Sequence, residues 1–246
     1  METLFCDLHM HSCLSPCGDD DMTPANLCGM AAVKGLDMIA LTDHNAAGNL
    51  PAAKACCDAY GLLLIPGMEI TTREEVHMLG YFPDVETAVA FGEMLREHLP
   101  KKKNKPGLFG NQKIMNEDDE QIGEEEALLI GATDLTLKDA AKAVRAFQGV
   151  PVPAHINRGS NGLLVNIGFM PEDIDFPTVE VWRDLPCTHS AQAGRLVLHS
   201  SDAHYLGDIL EREITLDLEE KSVAAFLKKI REGKTSQESF SKVRSA

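Results

Sequence analysis

Short apolar runs that end on histidine and carboxylate residues recur along this chain of 246 residues. That repetition restricts the fold more than any other feature. Asp7-Leu8-His9-Met10-His11 follows the run 4–6, Asp43-His44 follows 37–42, and Glu69 follows 62–65. His77 lies in the run 75–82, His155 ends the run 150–154, and Asp202 and His204 follow 195–199. A parallel barrel brings the ends of all its strands to one rim, so side chains far apart in sequence meet there. Imidazole nitrogen with carboxylate oxygen suits zinc, manganese or iron, and such sets support hydrolytic chemistry.

The segments between the runs read as helices. Thr23 as N-cap with Pro24 in the first turn opens one that runs to about Lys34, where Gly35 stops it. A second spans 50–60 and stops at Gly61, and a third spans 137–148 and stops at Gly149. Strands are expected again at 178–182, 195–199 and 214–218, with a closing amphipathic helix at 223–231. The alternation of strand and helix is the pattern of a parallel α/β barrel, and 246 residues suit a single domain, 1–246. The stretch 100–135 breaks the pattern. It opens on Lys101-Lys102-Lys103 and carries two acidic runs, so it reads as an insertion, with a small hairpin conceivable around 113–123. A solvated loop is the preferred reading of it and a substrate-covering lid the functional one.

Composition narrows the function. Lys and Arg total 23 against 38 Asp and Glu, a net charge of −15, so no extended duplex nucleic-acid binding is expected. A local anionic substrate is still compatible, because two or three divalent cations place about four to six positive charges at one point. No signal peptide and no run of membrane-spanning length is visible, and seven cysteines read as reduced thiols, so a cytoplasmic protein with no membrane partner is expected. Cys13 and Cys17 lie beside the first cluster and read as loop packing.

Within the clusters, residues two apart on a strand share a face. His9 and His11 then converge on one ion with Asp7 behind them as an orienting carboxylate, and Asp202 and His204 share a side in the same way. Of Asp43 and His44, one can bind metal while the other orients it or handles protons. Glu69 can bridge two cations or cap a turn. The strand phase leaves His77 facing inward or outward. Arg158, three residues after His155, is a candidate phosphate clamp, since guanidinium pairs bidentately with phosphate oxygens. Arg183 is a second candidate, with a surface ion pair as its alternative. His98 reads as a helix C-terminal partner.

Taken together, Asp7-Leu-His9-Met-His11-Ser12, Leu41-Thr42-Asp43-His44-Asn45, Pro153-Ala-His155 and Ser201-Asp202-Ala-His204 resemble the motifs of the PHP family, the polymerase and histidinol phosphatase domains. Glu69 and His77-Met-Leu-Gly-Tyr match its intervening ligand positions. The resemblance implies an α/β fold, a distorted (β/α)7 TIM-like barrel, with two to three divalent ions (zinc, manganese or iron) at the C-terminal ends of its strands. Carried over, one ion takes His9, His11, Glu69 and Asp202; a second takes the bridging Glu69 with His77 and His155. The third takes His44 and His204 with Asp19, or Asp20 in its place. The expected function is hydrolysis of a small phosphorylated metabolite or nucleotide by a metal-bridging hydroxide, with Arg158 and Arg183 on the substrate. His44, His204 or Asp202 is the expected proton donor to the leaving oxygen. Amide or lactone hydrolysis, or a non-catalytic metal-stabilised module, are the alternatives.

Overall fold

A computed structural model describes residues 1–233. The end of the expected domain, 234–246, lies outside the described residues.

Strand β1 (Glu2–Met10) is followed by α1 (Pro24–Val33), β2 (Met38–Leu41), α2 (Leu50–Tyr60), β3 (Leu63–Thr71), β4 (His77–Tyr81) and α3 (Val85–Arg96). The middle segment holds a short helix α4 (Pro106–Phe109) and the strands β5 (Lys113–Met115) and β6 (Gln121–Glu124). Then come α5 (Leu137–Ala146), β7 (Val150–Pro153), the short α6 (Leu163–Asn166), β8 (Thr178–Glu180), the short α7 (His189–Gln192), β9 (Leu196–Leu198), β10 (Thr215–Leu218) and α8 (Val223–Glu232).

Local chemistry sets these boundaries. The Thr23 side chain accepts the Asn26 N–H with Pro24 in the first turn of α1, and α2 ends at Gly61 in the left-handed region (φ 71). At the end of α5 it is Gln148, not the expected Gly149, that takes positive φ (61). Gly149 is required for another reason: a Cβ there would lie 2.8 Å from the Tyr81 carbonyl. On α5, Leu137, Ala140, Ala141 and Val144 form the buried stripe that a 3.6-residue period produces.

The six-stranded sheet runs β10-β1-β2-β3-β4-β7, and β8 pairs in parallel with β9. The curl closes through Ile156 N–H to Glu180 O (3.0 Å) on one side and His11 N–H to Ala203 O (2.9 Å) on the other. The result is a distorted TIM-like barrel of the kind expected. Its main distortion is β4, which is antiparallel to both neighbours. Alternate residues face opposite ways: Ile39 and Leu41 pack under α1, α2, α3 and α5, while Met38 and Ala40 join Leu8, Ile65, Tyr81 and Val152 in a second cluster with Phe226 and Ile230 of α8. Tyr81 ties that cluster together, donating to the Leu8 carbonyl at 2.8 Å and meeting Phe226 edge to face. Among the described residues no helix is long and apolar enough to cross a membrane.

The segment 100–135 is not the solvated loop expected. β5 and β6 form a hairpin that buried side chains fasten to the barrel rim. Asn49 donates to Lys113 O (3.1 Å) and Ser12 Oγ (2.9 Å) and accepts the Met115 N–H (2.9 Å). Gln112 bonds Glu125 O, Ala127 O and Leu129 N–H, and Asn45 donates to Leu129 O and Gly131 O. Periodicity is silent about such an attachment, because amide side chains rather than apolar area make it. His98 likewise pairs with Asp134 (2.7 Å) instead of capping helix carbonyls.

Asn49→Ala would strand the buried Met115 N–H and the Lys113 carbonyl. We expect a loss of about 2–3 kcal/mol in urea unfolding and new protease cleavage between residues 106 and 125. An unchanged midpoint with unchanged protease resistance would show that the hairpin holds without this residue.

Candidate metal centre

All the clusters reach one rim. His9 and His11 lie at the end of β1, His44 just past β2 and paired by a bridge to Glu69 in β3, and His155 just past β7. Because β4 runs antiparallel, its first residue, His77, also lies at this rim. Asp202 and His204 follow β9. His9, His11, His44, Glu69 and His155 are at most 3% exposed, so all five face the interior. His77 faces inward too, its Nδ1 2.8 Å from Glu69 Oε1.

Glu69 is the centre of the set. Its Oε1 lies 3.3 Å from His9 Nε2, 3.1 Å from His155 Nε2 and 2.8 Å from His77 Nδ1. Its Oε2 lies 3.2 Å from His11 Nε2 and 3.1 Å from His44 Nδ1. Glu69 therefore sits mid-strand among imidazoles and caps no turn. Asp202 Oδ1 adds contacts of 3.4 Å to His9 and 3.1 Å to His11, and the two Nε2 atoms are 3.2 Å apart.

These spacings fit cations. Donors each about 2.0–2.2 Å from one ion lie about 3–3.5 Å from one another. Glu69 Oε2 and His44 Nδ1 are buried without a hydrogen-bond partner, although they are close. Their approach does not meet hydrogen-bond geometry, yet at 3.1 Å the two atoms are close enough to share one cation. Three overlapping groups could hold ions: His9, His11, Glu69 and Asp202; His44, Glu69 and His77; and His11, His44 and His204. The first is the set expected. In the second His44 stands where His155 was expected, although His155 still touches Glu69 Oε1.

Asp19 joins none of these groups. Its carboxylate accepts the Asp21 N–H at 2.9 Å in a local turn. Asp20 turns outward to Asn111 (2.9 Å) and Lys113 (3.0 Å). The carboxylate expected from this loop is thus not brought to the cluster in this structure: Asp19 accepts from its own turn, and Asp20 from Asn111 and Lys113, distant in sequence.

The supporting polar groups were only partly anticipated. Asp7 orients no imidazole; it accepts the N–H groups of Ser201 and Leu210, both at 3.0 Å, and so anchors the loop bearing Asp202 and His204. Glu180 takes the orienting role, with Oε2 3.0 Å from His9 Nδ1 and 2.9 Å from the His155 amide. Its signal in the sequence is a charge between Val179 and Val181. Ser15 Oγ donates to Asp43 (2.7 Å), accepts the His44 N–H (3.0 Å) and meets His11 Nδ1 (3.0 Å). Such partners leave Nε2 of His9 and His11 free to point at an ion.

Arg158 pairs with Asp202 and lies over the Trp182 ring, 4.7 Å from its centroid. Arg183 pairs with Glu213 at 2.9 Å. Both line a cavity of about 470 Å³ with Trp182, Ser201, Asp202, His204 and Tyr205. His189 lies on α7, and His199 meets the Val181 carbonyl at 2.8 Å.

The chain belongs to the PHP domain family, whose model matches residues 7–145. A 3',5'-nucleoside bisphosphate phosphatase of Chromobacterium violaceum is 36% identical over 90 residues, which are 35% of this chain and 30% of the relative. This chain therefore matches less than a third of that relative's length. Among solved structures, the lesion-specific endonuclease Q of Pyrococcus furiosus superposes with TM-score 0.66 at 18% identity, over 96% of this chain and 57% of that one. A Bifidobacterium adolescentis protein described as a metal-dependent phosphoesterase gives TM-score 0.59 at 21% identity, over 94% and 97% of the two chains. Endonuclease Q has been solved on a 27-mer duplex, which stands in tension with the expectation, drawn from the net charge, of no extended duplex binding by this chain.

Electrostatics of the metal-free centre yield a pH prediction. Burial opposes charge on His9, but Glu180, Glu69 and Asp202 outweigh it and hold the imidazole well above its ordinary range. Burial likewise opposes charge on His11, and Asp202 and Glu69 bring it up to about 9. A raised imidazole stabilises the fold fully below the unfolded value, about 6.5, and that contribution fades as pH climbs through the folded value. Chelated protein should lose thermal stability between about pH 7 and 9.5, and zinc added at pH 7 should release protons. A flat melting temperature over that range with no proton release would contradict both.

Proposed function

We propose that the protein is a metal-dependent phosphoesterase, a hydrolase of a small phosphorylated metabolite or nucleotide that uses two to three divalent ions. The observation that carries this is the position of Arg158, a guanidinium at the Asp202 edge of the imidazole–carboxylate cluster and on the wall of the cavity. When bound, the ions would acidify water and neutralise charge on the phosphoryl oxygens. The bisphosphate phosphatase relative, by its name, supports a phosphoester substrate.

In this reading Glu69 bridges, and His9, His11, His44, His77, His155, Asp202 and His204 complete the binding set. Asp202 would help hold a cation, and Arg158, paired with it here, would be the guanidinium available to a substrate phosphate, its bidentate fork matching two phosphate oxygens. Trp182 and Tyr205 line the same cavity and would offer apolar area to the non-phosphate part of the substrate. Arg183, pulled toward Glu213, is the weaker anion partner. Of the three groups expected to protonate the leaving oxygen, the two imidazoles are biased toward the neutral form and the carboxylate toward the ionised form. Burial holds His44 well below its ordinary range and, with His11, brings His204 to about 4. Against its burial, His9 and His11 keep Asp202 ionised. Their protonation states favour ligand roles.

Assays on an aryl phosphate and on a nucleoside 3',5'-bisphosphate, with manganese or zinc added, test the proposal. Glu69→Gln should cut turnover by orders of magnitude and lower metal content while circular dichroism is unchanged. Near-normal turnover would remove the bridge from the mechanism. Arg158→Ala deletes charge-assisted hydrogen bonds worth roughly 1.5–3 kcal/mol each, so phosphoester hydrolysis should fall at least about tenfold at constant metal content. Arg158→Lys should restore only part of it. Full activity in Arg158→Ala would reduce Arg158 to a structural partner of Asp202.

A further inference from the structure

The chain has one tryptophan, Trp182, and it stands on the wall of the cavity beside the centre. It follows closely on Glu180, the end of β8, which fixes His9 and the His155 backbone. The Val181 N–H bonds the Leu198 carbonyl at 3.0 Å, so the strand end is anchored on β9. From Trp182 onward a side chain takes over. Asn157 Oδ1 accepts the Trp182 N–H at 2.8 Å, and its Nδ2 donates to the carbonyls of Trp182 and Leu185, both at 2.9 Å. One amide thus grips both backbone groups of Trp182, with its acceptor and both its donors in use.

Asn157 also ties Trp182 to Arg158, the next residue along. The backbone of that loop is fixed. The Arg158 N–H bonds the His155 carbonyl at 2.8 Å, and a Cβ at Gly162 would fall 2.3 Å from the Arg158 carbonyl. The guanidinium itself stands at the end of a long side chain that is 40% exposed. Among the described residues two contacts direct it: the Asp202 carboxylate, and the Trp182 ring, whose centroid lies 4.7 Å from Arg158 Cζ. The two differ in kind. A divalent cation held by the group containing Asp202 would repel the guanidinium and weaken the first. An aromatic ring attracts a guanidinium without neutralising its charge, so the second does not depend on that balance.

We propose that Trp182 is a positioning residue for the hydrolysis. Its ring holds the Arg158 guanidinium at the Asp202 edge of the metal centre, available to a substrate phosphate, and Asn157 holds the ring's own backbone in place. The inference rests on the phosphate-clamp reading of Arg158 above. This role runs through Arg158 and is distinct from the apolar area the indole offers to a substrate.

Because Trp182 is the only tryptophan, its emission reports on this contact without an assay of turnover. Arg158→Ala uncovers one face of the ring, so acrylamide should quench this variant more strongly than wild type. The rise is expected in the chelated full chain and again with zinc bound. Turnover of an aryl phosphate gives the second arm. Trp182→Leu should lower kcat/KM about three- to tenfold, and Trp182→Phe should recover most of it by keeping a ring. On the Arg158→Ala background Trp182→Leu should cost nothing further, since the two residues act as one unit. Equal quenching in wild type and Arg158→Ala, or a Trp182→Leu loss that persists in full on that background, would overturn the positioning role alone. Full activity in Arg158→Ala would overturn the clamp reading and the positioning role with it.

Discussion

One buried carboxylate, Glu69, sets the terms for the rim. It is 1% exposed and surrounded by five imidazoles, three on one oxygen and two on the other. An isolated carboxylate at such depth is costly, so it must be matched by positive charge. Here, against the effect of burial, the histidines, His77 foremost, hold it well below the ordinary carboxylate range. The sheet is bent to make this possible. A histidine at the beginning of a parallel strand would lie at the opposite end of the barrel. Reversing β4 between β3 and β7 brings His77 to Glu69, so the irregular strand is what completes the ring of donors.

A second set of interactions keeps these donors convergent. Asp43 accepts from the Ser12 amide (2.7 Å) and from both serine hydroxyls, and so positions the turn that carries His11 and Ser15. Glu180 fixes His9 and the His155 backbone together. Asn45, His155 and Asp202 all take positive φ (50, 26 and 52). For non-glycine residues that conformation carries roughly 1–3 kcal/mol of strain each. The hydrogen bonds of Asn45 to Leu129, Gly131 and Thr71 hold one of these residues in place. The same bonds couple the 100–135 segment to the rim, so the attached hairpin and the strained ligand loops form one mechanical unit.

How much of this was legible in sequence follows from the range of the interactions involved. Helix ends at Thr23 and Gly61 are decided within one turn, and both were readable. Convergence of His9, His11, Glu69 and Asp202 was readable because parallel strands bring their ends together whatever their separation. The orienting partners were not. Asp7 and Glu180 are both acids beside strand residues, and only the packing of β8 against β7 decides that Glu180 reaches His9. Asp19 was placed by counting along a loop, which does not show the turn it forms: its Oδ1 accepts the Asp21 N–H, and the carboxylate lies outside the groups of converging donors. Gln112 and Asn49 left no signal, since a buried amide side chain looks like a surface one until its partners are known.

In the proposed reading, the net charge argues for a compact ligand over a long polyanion. The chain carries −15 overall, which repels an extended phosphate backbone at distances beyond the Debye length only weakly but at the surface strongly. In the proposed loaded state, Glu69 and Asp202 would contribute about two negative charges against roughly four to six from the cations. The centre would then be a positive point beside a cavity lined by Arg158 and Arg183. A single phosphate that enters the cavity gains the full local attraction and Arg158 besides. A duplex lying across the opening would gain the same point contact, while the net charge of −15 would oppose the rest of its backbone. Endonuclease Q shows that this fold can carry a duplex, so in the proposed reading it is the net charge, and not the fold, that argues for a small substrate.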